Sequence, residues 1–148
     1  MIARLILRWA KNRKPDFVIG GLDNPYLERH WLLPRNPLFN VYVHRFLRSD
    51  DDRAEHTHPW INMSWLLQGC YIEWQHGKPF YRNAGDIVFR HSGHIQHRIE
   101  LNDGPAWTVF FTGPRYKTWH FACPQGLIPW KDFVASDDKG AVGRGCEQ

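Results

Sequence analysis

The chain has 148 residues, 43% hydrophobic, 15% aromatic and 23% charged, which is enough apolar material for one sizeable core and excludes both a disordered chain and a two-domain enzyme. Charges or prolines interrupt every hydrophobic stretch, so no membrane-spanning helix is expected. The net charge of +4 is local: residues 1–48 hold 9 Lys/Arg against 3 Asp/Glu, and residues 49–148 hold 10 against 12, so a nucleic-acid-binding face over the whole domain is not expected.

In chain order, Ile2, Leu5, Ile6 and Trp9 recur at helical spacing with Arg4, Arg8 and Lys11 elsewhere on the wheel, which predicts one short amphipathic helix. It docks on the core or on a second subunit, with a membrane surface or nucleic acid as alternatives. The charges at Arg4 and Arg8 also break any export signal. Residues 15–37 carry Pro15, Gly20, Gly21, Pro25, Pro34 and Pro37 and read as an ordered arm or loop. From residue 38 the texture turns to β-forming runs: LFNVYVHRFL (38–47), AEHTH (54–58), INMSWLL (61–67), CYIEWQ (70–75), DIVFR (86–90), IQHRIEL (95–101), AWTVFFTG (106–113) and RYKTWHFA (115–122). Short strands at this spacing predict an antiparallel sandwich or barrel over 38–122, with a C-terminal extension over 123–148 that ends loosely. The acidic run from Asp50 reads as a solvated loop. Cys70, Cys123 and Cys146 have no CxxC spacing, which predicts free thiols in a reducing cytoplasm rather than a disulfide framework.

Histidine supplies the chemical signal, with 9 in the chain. His56 and His58, two apart on a strand, project from one face, as two ligands of one metal must. The window GDIVFRHSGHIQHRIEL gives a turn, a strand, a second turn and then His97 early in the next strand, so a second strand can deliver a third imidazole; His94, in the turn, is the alternative. In the strand 38–47, alternation puts Val41, Val43 and Arg45 on one face and Tyr42, His44 and Phe46 on the other. Arg45 and Tyr42 are candidate catalytic residues, an inward Arg45 being a buried cation that needs a carboxylate or phosphate ligand, and an outward one a surface charge on an edge strand. Arg98 and Glu100 alternate away from His97 and read as an outer-face pair. Trp60, Trp65, Phe111 and Trp119 wall an apolar pocket or belong to the core.

Two stretches, EHTHPWINMSWLLQG (55–69) and GDIVFRHSGHIQH (85–97), resemble the two motifs of the cupins across most of residues 40–113. The chain is similar, more narrowly, to small cupin-like proteins of phages and prophages that carry an HRFLRSDDDRAEHTHPW-like stretch and a Gly113-Pro114-Arg115-like turn. The resemblance implies an all-β jelly-roll barrel and metal ligands His56, His58 and His97. The glutamate of the first motif is absent, Asn62 and Met63 standing in its place, so the implied site is of three histidines, similar to that of cysteine dioxygenase-like cupins. Such a set suits a divalent transition metal, iron foremost, with zinc, nickel, manganese or copper also compatible. A cytoplasmic homodimer, joined through its N-terminal segment and binding a small molecule, is expected. Its activity is dioxygenase-like, with a non-catalytic binding or structural cupin, or a cupin isomerase, as alternatives.

Overall fold

Period-two alternation of Val, Ile, Phe, Tyr and Trp builds nearly the whole fold. The computed structural model describes residues 1–20, 23–50, 54–137 and 141–147. Helix α1 (Ile2–Lys11) is followed by strands β1 (Phe17–Ile19), β2 (Leu27–Trp31), β3 (Asn40–Phe46), β4 (Asn62–Gln68), β5 (Cys70–Gln75), β6 (Lys78–Asn83), β7 (Ile87–Arg90), β8 (Arg98–Leu101), β9 (Ala106–Thr112), β10 (His120–Cys123) and β11 (Gly126–Pro129), and by the short helix α2 (Trp130–Phe133). All strand pairs are antiparallel. They form a six-stranded sheet in the order β1-β2-β3-β9-β4-β7, a three-stranded sheet β6-β5-β8 and the hairpin β10-β11. At Gly69 (φ 85°) the chain leaves the first large sheet for the second; a Cβ there would lie 2.8 Å from the Pro105 carbonyl oxygen, so the turn requires glycine.

The six-stranded sheet is covered on both faces. Inward residues Leu27, Phe46, Leu66 and Ala106 meet Tyr71 and Ile99 of the opposing sheet. Outward residues Val41, Val43, Trp107 and Val109 lie beneath α1. The helix docks with Ala3, Ile6, Leu7, Trp9 and Ala10, leaving Ile2 and Leu5 63% and 60% exposed. Ile6 and Trp9 thus keep their expected places, while Ala3, Leu7 and Ala10 take those expected of Ile2 and Leu5. No helix among the described residues is long and apolar enough to cross a membrane.

Three expectations are corrected here. Residues 15–37 contribute strands β1 and β2, since the prolines and glycines flank Phe17–Ile19 and Leu27–Trp31 without interrupting them. Asp50 is fully buried rather than solvated, accepting bonds from the Tyr26 hydroxyl and, at 2.9 Å, from the Ile99 N–H; Asp51 and Asp52 lie outside the described residues. Cys123 and Cys146 form a disulfide (Cα–Cα 5.4 Å) while Cys70 is free. No local spacing announces that pairing: the chain turns back through β11 and α2, and Gly143 and Gly145 donate to the Phe133 carbonyl, bringing Cys146 to the end of β10. The cysteine argument for a reducing compartment falls with it. Reduction, or Cys146→Ser, reopens a loop of 23 residues and is expected to cost about 3 kcal/mol; a denaturation midpoint unmoved by dithiothreitol would contradict this.

Candidate metal centre

The segment holding the first two histidines is zipped between neighbours on both sides. His56 N–H donates to the His97 carbonyl (2.8 Å) and His97 N–H to that of His56 (3.1 Å), an antiparallel bridge that sets the two side chains together. On the other side Thr57 N–H donates to the His120 carbonyl (2.8 Å), and His120 N–H donates to Thr57 Oγ1 (2.9 Å). His58 N–H reaches the Gly93 carbonyl at 3.0 Å. A Cβ on Gly93 would lie 2.4 Å from the His58 carbonyl oxygen, so the turn before His97 needs glycine for close approach, not for its φ. The segment alternates around the buried Thr57, and His56 and His58 share one side, as period two requires.

The outcome is a cluster. One ring nitrogen each of His56, His58 and His97 lies within 4.8 Å of the others. His58 Nε2 and His97 Nε2 are 2.7 Å apart, with ring centroids at 4.9 to 5.2 Å. Behind His97, its Nδ1 lies 2.9 Å from Glu73 Oε1, a contact that favours the proton on Nδ1 and the Nε2 lone pair toward the cluster. Glu73, fully buried on β5, is fixed by Arg82 Nε (2.9 Å) and by the equally buried Arg90 of β7, whose Nε donates at 3.0 Å. Arg90 Nη1 also donates to Asn62 Oδ1 and Ser64 Oγ, each at 3.1 Å. Asn62 stands where the cupin motif has its glutamate, and the interior anion comes instead from the opposing sheet.

Burial pushes the Glu73 carboxyl upward, but the hydrogen bond from His97 and the Arg90 charge outweigh it and hold it well below the usual range. Desolvation, reinforced by neighbouring charges that include Arg90, lowers His58 well below its ordinary value and lowers His97 as well, Glu73 opposing in the latter. His58 and His97 are therefore held in the neutral form that ligation demands.

The cluster opens into a cavity of about 810 Å³ lined by residues of both large sheets and of the C-terminal segment, among them Tyr26, Arg29, His44, Asp50, Trp60, Tyr71, Phe110 and Trp119. Trp60 and Trp119 thus join the wall, whereas Trp65 and Phe111 pack under α1. Tyr42 is buried on the inward face of β3, stacked on His44 (5.7 Å). Arg45 is not in the cavity. It lies on the outer face, 3.2 Å from Glu28 and over the Trp107 ring (5.4 Å), and β3 is an interior strand, not an edge. His94 is exposed, with Nδ1 3.1 Å from Lys117 Nζ, and stands outside the cluster. Arg98 and Glu100 pair at 3.4 Å away from the cavity. Glu73, Arg90 and Arg29 escaped the sequence reading; the signal for the first two was a charge at an alternating position of each apolar run, CYIEWQ and DIVFR.

Two further histidines make stability depend on pH. His44, fully inside, is held well below its ordinary 6.5 by desolvation and then by Arg29, and His30, stacked on Trp107, is lowered by desolvation and then by Arg13. The unfolded chain takes up protons first on acidification, so stability present above about 6.5 is lost as pH falls below it. A group such as His44 that stays neutral when folded withdraws about 1.4 kcal/mol at pH 5.5. The urea midpoint is expected to fall between pH 7.5 and 5.5; a constant midpoint would contradict the assignment.

No family model matches the sequence, and no curated protein matches it. Among solved structures the fold is similar to a RmlC-like cupin from Shewanella frigidimarina NCIMB 400 (TM-score 0.55, 17% identity, covering 73% of this chain and 89% of that one). It is also similar to the DMSP lyase DddQ from Ruegeria pomeroyi DSS-3 (0.54, 18%, 72% and 57%) and to KdgF from Halomonas sp. (0.53, 17%, 68% and 96%). The chain spans little more than half the length of the DMSP lyase. At these identities the likeness is one of fold: the chain is an all-β cupin barrel with a short N-terminal helix.

Proposed function

We propose that this protein is a metal-dependent cupin enzyme acting on a small molecule, with His56, His58 and His97 as the ligands of one divalent transition-metal ion. The observation that carries the reading is the convergence of three imidazoles on one point of a cavity wall, a nitrogen of each within 4.8 Å of the others and two Nε2 atoms 2.7 Å apart. The donor set fits: nitrogen ligands, the tautomer of His97 set by Glu73, and coordination positions left for other molecules on the cavity side. A bound iron(II) would supply oxygen activation beside a coordinated substrate, and a bound zinc Lewis acidity in its place. We favour iron and a dioxygenase-like reaction, as the three-histidine motif implies.

The chain's own groups have distinct tasks. Glu73 and Arg90 hold His97 in orientation. Tyr71, raised to about 12 by burial, keeps its proton and serves as a hydrogen-bond donor, not as a base. The Tyr26 hydroxyl donates to Asp50 on the cavity wall and holds that carboxylate in place. Trp60, Phe110 and Trp119 exclude water from the substrate's apolar part.

The expected assembly remains a homodimer through the N-terminal segment, supported by the exposure of Ile2 and Leu5; a single species of monomer mass in sedimentation would contradict it. The reaction class is tested by loading the protein with iron(II) and screening small thiols and carboxylic acids for oxygen uptake. Substrate-dependent uptake supports the reading. Turnover of a substrate without oxygen would replace dioxygenase by lyase or isomerase, chemistry of the kind named for the lyase DddQ.

A further inference from the structure

Most arginines near the barrel have a carboxylate: Arg13 meets Asp16, Arg45 meets Glu28, Arg82 and Arg90 meet Glu73, and Arg98 meets Glu100. Arg29 has none among the described residues, although it is half-buried and lines the same cavity as the histidine cluster. Its place follows from register. Residues 27, 29 and 31 of β2 face inward while Glu28 and His30 face α1, and Arg29 pairs across strands with His44.

The guanidinium is held on two sides. Its Nε donates to His44 Nε2 at 2.9 Å, and its face lies over the Tyr42 ring at 4.7 Å. These contacts fix the plane and commit one of its five N–H donors, leaving the two terminal nitrogens as a fork. Burial lowers Arg29 to about 10, so it stays cationic at neutral pH. Arg35, exposed at the same wall and beside Trp31 (5.7 Å), adds a second positive charge that repels the first. A desolvated, pre-oriented cation facing another cation is costly unless an anion completes it. The cavity offers apolar lining in Phe17, Ile19, Trp31 and Phe46, with Asp50 and Asp137 as its carboxylates. From Arg29 the route to the metal centre is short, as His44 stacks on Phe110 (5.1 Å) and Phe110 meets His58 (5.8 Å).

We infer that Arg29 is the anion-binding subsite of this cavity, and that the small molecule taken here carries a carboxylate on an apolar body. The carboxylate accepts two parallel N–H bonds from Arg29, and the body extends along the aromatic wall toward the histidines. The inference rests on the cavity being a ligand site, as the proposed function has it, but not on the metal.

The test uses benzoate, its neutral isostere benzamide and inorganic phosphate as probes. Calorimetric binding is compared between the wild-type protein and Arg29→Gln and Arg29→Lys, with metal content measured in parallel. Benzoate is expected to bind the wild type more tightly than benzamide, and Arg29→Gln to lose about tenfold or more of benzoate affinity at unchanged metal content. Arg29→Lys, keeping charge without the fork, should fall between. If Arg29→Gln does not fold, the wild-type preference for benzoate over benzamide still decides. Absence of benzoate binding to the wild type, equal affinity for benzoate and benzamide, or full benzoate affinity in Arg29→Gln overturns the inference. Phosphate binding more tightly than benzoate overturns the carboxylate assignment. An Arg29-dependent benzoate site in a protein that binds no metal would leave this inference standing and remove the metal reading.

Discussion

Glu73→Gln is expected to destabilise the protein by about 3–5 kcal/mol and to weaken metal binding about 10- to 100-fold. The two losses have different origins. Stability falls because Arg90, fully buried, loses its counter-charge and cannot be rehydrated. Metal affinity falls because the amide is a weaker acceptor for His97 Nδ1–H and can present its NH2 group there instead, so ring and tautomer are no longer held. The double variant Glu73→Gln/Arg90→Met separates them, since removing the orphaned cation should restore much of the stability and none of the metal affinity. Urea denaturation of the apo-protein and competitive metal titration check each arm. Joint recovery of both, or loss of neither, would contradict the role given to Glu73.

Phe121→Ala is expected to cost about 3–5 kcal/mol, about 10 °C in melting temperature for a domain of this size. Phe121 is fully buried, stacked on Phe133 at 3.8 Å, and in ring contact with Trp119 (5.1 Å) and His56 (5.8 Å). Its backbone also bridges His56. The cavity left by its ring therefore loosens the C-terminal hairpin and the first histidine together, and metal affinity should fall with stability. Phe89, 62% exposed on the outer face of β7, is the control: Phe89→Ala should stay within about 0.5 kcal/mol. Equal melting temperatures for the two variants would contradict the packing described.

The histidine cluster was legible because period two paired His56 with His58 and the cupin resemblance pointed to His97. His56 and His58 share a side whatever lies around them, and His97 precedes a strand whose alternation sends Ile99 inward and Arg98 outward. The alternation of β3 was equally clear, but not which face turns inward. Val41 and Val43 are apolar because α1 covers them, so both faces of the strand look like core, and Arg45 was given the anion-binding role that Arg29 fits. Arg29 was hidden in a segment crowded with prolines and glycines, where a five-residue strand is invisible until its partner β3 is placed. Strand β6 was hidden similarly: Pro79 argues against a strand except at a sheet edge, which is where β6 lies. Glu73 with Arg90, and Cys123 with Cys146, join residues 17 and 23 positions apart, and pairings of that kind follow from topology, not from local pattern.

The most direct test is the metal content of protein purified without a histidine tag or chelator and then offered iron(II) anaerobically, measured for wild type, His58→Ala and His97→Ala, with near-ultraviolet circular dichroism to verify folding. The account predicts close to one ion per chain in the wild type and near-complete loss in both folded variants. A wild type that takes up no transition metal, or a folded His97→Ala variant that keeps its full complement, would contradict it.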